Sequence, residues 1–342
     1  MIDPADLLTE SYDYTLPPDR IATRPVEPAD AARLLVYDRH ADSVTHARFR
    51  DLPDFLPEKC ALFLNDTRVI PARIFGQKPS GGRVELLLNK PLPDWRYLVM
   101  IRGKVRPGTR LLFDQGLEAE VLELLPDGAR IVRFFRQSRE LEFGELVEIL
   151  ETIGHVPLPP YLNREDEAAD RRHYQSLFAR EAGAVAAPTA SLHFTPQLLE
   201  SLQARHPAYT LTLHVGAGTF KPVESEKILE HPMHSEYFRI PAEAAEYLQS
   251  DAPLLAVGTT VTRTIEYYVR SGTMEGECDL FLHPGNPPQR VNYLLTNFHL
   301  PKSTLIILVS AFIGRRKTLE LYEEAIRKGY RFYSYGDAML VI

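Results

Sequence analysis

Residues 72–88 read ARIFGQKPSGGRVELLL, two short runs of alternating apolar and polar residues, 72–77 and 83–88, parted by Ser80-Gly81-Gly82. Alternation broken by paired glycines predicts a strand, a turn and a second strand. Outward from there the pattern recurs at 96–102, 109–113, 118–125 and 129–135, with turn signals over 104–108 and at Pro126-Asp127-Gly128. Six short strands at this spacing predict a small all-β barrel.

The flanks are built differently. Helical apolar spacing runs through 166–183, 196–205, 242–249, 261–272, 304–314 and 317–329. Apolar strand-like runs lie at 33–37, 61–64, 210–215, 254–257, 279–282 and 331–335. Strands alternating with helices indicate an α/β layer domain. The fold class expected is therefore α/β: a discontinuous layered α/β domain, residues 1–70 and 151–342, with a β-barrel domain inserted at 71–150. The proline-rich stretch 156–161 reads as a stiff return linker.

With 342 residues, 44% hydrophobic and 25% charged, the chain has the composition of a folded globular protein, which excludes disorder, collagen and coiled coil. Its two cysteines, Cys60 and Cys278, are too few for a disulfide framework and imply a reducing compartment. The start Met1-Ile2-Asp3-Pro4 lacks the basic flank and apolar run of a signal peptide, and 304–314 is too short to span a bilayer. A cytoplasmic protein without a membrane partner is expected. Net charge is −7, yet residues 68–110 hold ten basic and two acidic side chains, a local +8 that leaves −15 elsewhere. One basic face in an acidic protein suits phosphate, with a solvated Arg-rich β surface as the alternative.

Ligands of open α/β sheets collect beyond the carboxyl ends of strands, which makes the strand ends the places where chemistry is expected. Asn65-Asp66-Thr67-Arg68 stands where the chain leaves for the barrel, and Asn-Asp there also suits an Asx turn. His214-Val215-Gly216-Ala217-Gly218-Thr219 lets backbone approach a ligand closely, but Pro222 follows where a Rossmann helix should open. Gly258-Thr259-Thr260 opens a helix with Arg263 one turn in, a start suited to carboxylate or phosphate, although a plain hydroxyl cap also explains Thr260. Asn297, His299 and Lys302 precede the apolar helix, and Tyr335-Gly336-Asp337 places an acid after a turn. His231-Pro232-Met233-His234-Ser235-Glu236 invites a metal reading, but Pro232 spoils a helical pair and no further ligand is near. On a strand, His234 and Glu236 share one side, an acid–base pair, so no metal is expected.

Residues 65–73, 214–220, 296–303 and 333–338, supported by 156–161, 187–194, 231–238 and 257–266, closely resemble the S-adenosylmethionine:tRNA ribosyltransferase-isomerase family of queuosine biosynthesis. The resemblance runs from about Tyr14 to the last residues. It departs from the family pattern at Ala29 and Ala32, where arginine and serine are usual, and at Ser191, Lys221 and His283.

The resemblance implies an enzyme that moves the ribosyl part of S-adenosylmethionine onto the aminomethyl group of preQ1 at the wobble position of tRNA. Epoxyqueuosine forms, and adenine and methionine leave. S-adenosylmethionine is consumed as a co-substrate, no cofactor is implied, and preQ1-modified tRNA is the partner of a protein expected to be monomeric. His299, Asp337, His214, Asp66 and Glu236 become candidates for proton transfer. Substrate-binding candidates are Asn65, Arg68 and Arg73 at the barrel border, Gly216, Gly218 and Thr219 in the loop, and Thr259, Thr260 and Arg263 as carboxylate anchor. Asn297, Lys302 and Tyr335 complete them, while Lys104 and Arg106 are expected on the tRNA. Two rivals remain open: an S-adenosylmethionine-dependent RNA methyltransferase, disfavoured by Pro222, and a non-catalytic RNA-binding module, which leaves the strand-end clusters without a purpose.

Overall fold

The computed structural model describes residues 3–220 and 222–342; Met1, Ile2 and Lys221 lie outside them. Six antiparallel strands close into a barrel: Arg73–Gln77, Arg83–Leu92, Arg96–Arg102, Arg110–Phe113, Leu117–Leu124 and Arg130–Arg136. Closure comes from Arg130–Arg136, which pairs with Leu117–Leu124 on one side and Arg96–Arg102 on the other. Alternation sends Ile74, Val84, Leu86, Val99, Val121 and Phe134 inward, where all are buried. The helix Phe143–Ile153 packs Leu146 and Leu150 against this core. At the helix end a Cβ on Gly154 would lie 1.9 Å from the Pro71 carbonyl oxygen, so glycine lets the entering and leaving chains touch.

Around the barrel a nine-stranded mixed sheet runs in the order Glu275–Cys278, Glu236–Arg239, Ala208–Leu213, Ala61–Asn65, Leu254–Val257, Tyr293–Asn297, Ala338–Val341, Arg33–Asp38, Ser43–Arg48. Four adjacent strands, from Ala208–Leu213 to Tyr293–Asn297, are parallel, so Leu213, Asn65, Val257 and Asn297 end at one edge. One face of the sheet packs Leu62, Val257 and Leu340 against Phe49, Leu198 and Leu202. The other packs Phe63 and Ala256 against Val261 and Ile265, and Leu294 and Met339 against Ile307 and Leu321. The fold is α/β with a closed six-stranded barrel, as the sequence pattern indicates.

Three expected elements are replaced. Only Asp170–His173 is helical within 166–183, and Glu181–Ala184 pairs in parallel with Thr67–Val69. Polar tethers override the apolar spacing there, because the Asp166 carboxylate accepts from Val156 N–H and meets His155 Nδ1, while Asp170 binds Arg164. The strand expected at 279–282 lies at Glu275–Cys278, since Arg263 claims the carbonyls of Cys278 and Leu280. Residues 331–335 form a tight turn with Tyr333 at φ 73, and the strand starts later, at Ala338.

Candidate functional site

A cleft of about 1300 Å³ separates the outer face of the barrel from the α/β layer. Its barrel wall is made of outward-facing residues, among them Arg73, Leu87, Asn89, Leu98 and Met100. The opposite wall carries His214, Gly216, Gly218, His234 and Glu236. A smaller pocket of about 70 Å³ lies at the carboxyl edge of the parallel strands, lined by Thr259, Thr260, Asn297, His299 and Tyr161. The two lie close together, since Pro160, Val185 and Gly216 line the cleft while their chain neighbours Tyr161, Ala186 and Val215 line the pocket.

His214 follows the strand Ala208–Leu213 and stacks on Tyr237, ring centroids 5.4 Å apart. Its Nδ1 shares a 2.8 Å hydrogen bond with the Thr67 hydroxyl, and Nε2 has no partner among the described residues. Gly183 makes the stack possible, because a Cβ there would stand 2.7 Å from the imidazole. Burial pushes the His214 pKa down to about 4, with Arg239 adding to the shift and Glu181 opposing it. The imidazole is therefore neutral near pH 7, in the form that accepts a proton.

The glycine loop is gripped from both sides. Glu236 Oε1 accepts from Gly216 N–H at 2.9 Å, and Asn89 of the barrel accepts from Ala217 N–H at 3.1 Å. Thr219 continues the same turn, Ala217–Phe220. Behind the loop, Glu236 binds Arg263 at 2.5 Å, and both are buried. Arg263 also donates from Nε to the Leu280 carbonyl and from Nη2 to the Cys278 carbonyl. Arg263, expected as a cationic anchor, braces Glu236 from behind the loop and lines neither cavity.

The helix start keeps its anion-binding character without Arg263. Thr259–Ser271 begins after Gly258, which sits at φ 98, and no side chain caps it. Thr260 is therefore no hydroxyl cap; its Oγ1 accepts from Asn65 Nδ2 at 3.3 Å. Uncapped N–H groups and the positive end of the helix dipole face the small pocket. Thr259, only 7% exposed, lines that pocket, and its hydroxyl has no partner among the described residues.

Other sequence candidates serve the scaffold. Asn65 Oδ1 accepts from Thr67 N–H and Leu213 N–H, the Asx-turn reading. Asp66 is saturated by Thr212 and Arg180, and Asp337 by the backbone N–H groups of Arg33 and Arg331. Tyr335 donates to Asp170, and Lys302 pairs with Glu10 and Asp13. Asn297 lines the pocket with both ends of its amide engaged, by Thr189 and by Tyr333 and His193. His299 lines it with Nε2 bound to Thr296 at 2.7 Å, and burial lowers its pKa to about 3. Ala29 and Ala32 line neither cavity.

Sequence reading missed Asn89, Tyr161 and His193. Asn89 follows the predicted strand 83–88, and its outward place on a continuing strand was the available signal. Nothing local marks Tyr161 or His193, which reach the site through long-range packing with Tyr333 and Asn297.

Among the ten basic residues of 68–110, most meet acids: Arg68 with Glu151, Arg73 and Arg102 with Glu85, Lys90 with Glu277, Arg96 with Asp94 and Arg110 with Glu118. Arg83, Lys104 and Arg106 are exposed and have no acidic partner among the described residues.

Buried neutral histidines make the fold acid-sensitive. His193, His214 and His299 titrate in the fold at about 3, 4 and 3, below their ordinary value of 6.5. As pH falls below 6.5 the unfolded chain gains protons that the native state refuses, so stability drops until the folded values are reached. Each such site weakens the fold by up to about 1.4 kcal/mol per pH unit. The expected result is a urea midpoint that declines from pH 7 to pH 4; a constant midpoint would contradict the neutral assignment.

The family model described as queuosine biosynthesis protein matches residues 9–341. An S-adenosylmethionine:tRNA ribosyltransferase-isomerase from Aliarcobacter butzleri is 63% identical over 342 residues, the whole of both chains. The relative of that name from Campylobacter jejuni strain RM1221 is 58% identical, covering 98% of this chain and 99% of its own. The crystal structure of S-adenosylmethionine tRNA ribosyltransferase from Thermotoga maritima is similar at TM-score 0.54 and 33% identity, over 97% of this chain and 100% of that one. The match over nearly every residue means that this chain belongs to the queuosine biosynthesis protein family.

Proposed function

We propose that the cleft is where the ribosyl group of S-adenosylmethionine is transferred to preQ1 at the wobble position of tRNA and isomerised to epoxyqueuosine, with release of adenine and methionine. The carrying observation is the pair of neighbouring cavities. About 1300 Å³ exceeds what one small ligand fills, roughly 300–1000 Å³, as a reaction that joins a nucleotide to a nucleoside requires. The small pocket adds a place for a carboxylate at an uncapped helix start. In this reading methionine's carboxylate sits at Thr259–Thr260, and the ribose reaches the cleft past Gly216 and Gly218.

The chemistry needs a base for the proton on the ribose carbon beside the sulfonium, and an acid to help adenine leave. We assign the base to His214, whose Nε2 is the available neutral acceptor on the cleft wall. Glu236 and Arg263 hold the loop that shapes the site. His299 serves the small pocket as a neutral, hydrogen-bonded wall. S-adenosylmethionine is consumed, so no resident cofactor is invoked.

The barrel, taken as the module 71–150 inserted between 1–70 and 151–342, supplies the RNA face, supported by its own core and its unpaired cations. A monomer in the cytoplasm is the working assembly, in keeping with two buried free thiols. No described helix is long and apolar enough to cross a membrane. Replacing Arg106 by alanine is expected to weaken tRNA binding and reduce the slope of log K against log salt by about one, leaving S-adenosylmethionine binding unchanged. An unaltered slope removes Arg106 from the footprint.

The test of the activity is incubation with S-adenosylmethionine and a preQ1-bearing anticodon stem-loop, read by mass spectrometry. Free adenine and methionine with the matching gain in RNA mass are expected. S-adenosylhomocysteine with a methyl gain would overturn the reading in favour of a methyltransferase, and tight binding without turnover would leave a binding module.

A further inference from the structure

Phe75 is 46% exposed on the outer face of the barrel, where alternation would ordinarily place a polar side chain. Its ring is fixed on two sides: the Arg73 guanidinium lies 4.9 Å from the centroid, and His155 packs edge-on at 5.1 Å. His155 is itself held, by the Asp166 carboxylate at 2.9 Å and by backbone hydrogen bonds in both directions with Arg73. An aromatic ring held by its own strand neighbour Arg73 and by His155, and still 46% exposed, is costly to keep bare. Hydrophobic exposure of this kind is informative when its surroundings specify an occupant.

The surroundings here are cationic on one side and catalytic on the other. Phe75 pairs across the strands with Glu85, which is shared between Arg73 and Arg102. Arg73, Glu85 and Arg102 line the cleft. Two residues along the same strand Gln77 pairs with Arg83, and the next residue, Lys78, donates to the Lys104 carbonyl. The ring thus lies between the reaction cleft and the cations that have no acidic partner. The Arg102 side chain, largely exposed, meets Glu85 at 3.4 Å, and so exposed an ion pair contributes little and releases readily to a phosphate.

We propose that Phe75 is a stacking platform for an unpaired nucleobase of the RNA loop, next to the nucleotide that enters the cleft. Unpaired bases are recognised by stacking on aromatic rings inside positively charged grooves, and each stack tolerates any base. Phe75 therefore holds the loop open and sets its register, while the target base is left free to enter. This inference rests on the RNA-modifying reading above, and the two fail differently.

The experiment uses the full chain and stem-loops carrying 2-aminopurine at single positions flanking the target. With the native protein, fluorescence at one flanking position is expected to be quenched on binding. Phe75→Ala and Phe75→Leu are expected to remove the quench and weaken binding roughly five- to a hundred-fold, the span that loss of one base–aromatic stack produces. Phe75→Tyr should restore both, and the salt slope should stay unchanged because no phosphate contact is lost. Melting temperatures of all three variants are expected to match the native value, since the ring is outside the core. Quench and affinity retained in Phe75→Leu would overturn the stack. Quench without turnover of the preQ1 stem-loop would instead leave the platform standing and defeat the assigned reaction.

Discussion

Replacing His214 by asparagine is expected to lower turnover by about 10²- to 10⁴-fold, the usual loss when a positioned proton acceptor is removed. Asparagine can keep a polar atom where Nδ1 meets the Thr67 hydroxyl, while the Nε2 atom is deleted. The substitution therefore separates base chemistry from scaffold. KM for S-adenosylmethionine should move little, and the melting temperature should hold within a few degrees. A residual activity within tenfold of native would place the proton transfer elsewhere. The pH profile gives an independent reading. With a folded pKa of about 4, the imidazole stays deprotonated down to that pH, so kcat/KM should show no loss near 6.5 and fall only toward pH 4. Gly183→Ala should reproduce part of the defect without touching the imidazole chemically, because its Cβ would displace the ring from 2.7 Å.

Arg263→Met is expected to destabilise the protein by about 3–5 kcal/mol, the cost of breaking a buried ion pair by removing one partner. Glu236 is 6% exposed, and the guanidinium at 2.5 Å is its charge partner. The Cys278 and Leu280 carbonyls lose donors at the same time. Adding Glu236→Gln should recover a large share of the loss, since a neutral amide oxygen can still accept from Gly216 N–H and no longer needs a cation. Thermal melting of the two single variants and the double variant measures the coupling. If the single Arg263→Met change costs less than 1 kcal/mol, the pair is not the brace described here. Activity should fall with the single change and return only partly with the double. The loop held by Glu236 on one side and Asn89 on the other stands at the cleft wall.

Local sequence was most informative where local physics decides. Alternation with a period of two placed the barrel strands to within a few residues, missing chiefly the extension of Arg83–Leu92 past the irregularity at Leu88 and Lys90. Helices with a clear cap were equally plain, as at Pro196–Gln203, where Thr195 accepts from Leu198 N–H. The failures have a common cause. In 166–183 and at 279–282 the backbone follows tertiary hydrogen bonds, to His155 and Val156 in one case and to Arg263 in the other. Apolar spacing carries no record of such partners.

The same division runs through the site. Residue types at the strand ends pointed to one region, since Asn65, Leu213, Val257 and Asn297 end together at one edge of the sheet. Which of the polar groups there remain available was decided by pairing. Asp66, Asp337 and Arg263 are site candidates on sequence, and the fold engages each of them in contacts of its own. His214 keeps a free nitrogen because Gly183, distant in sequence, has no side chain to crowd it.

Sequence by itself determined the barrel, the layered α/β surround and the family, because strand alternation, helix spacing and ordered motifs are properties of neighbouring residues. Only the tertiary structure decided which carboxylate met which cation and which imidazole faced the cleft. Burial and charge pairing depend on residues brought together from far apart, and a buried polar group is free or spent according to partners that its own neighbourhood does not name.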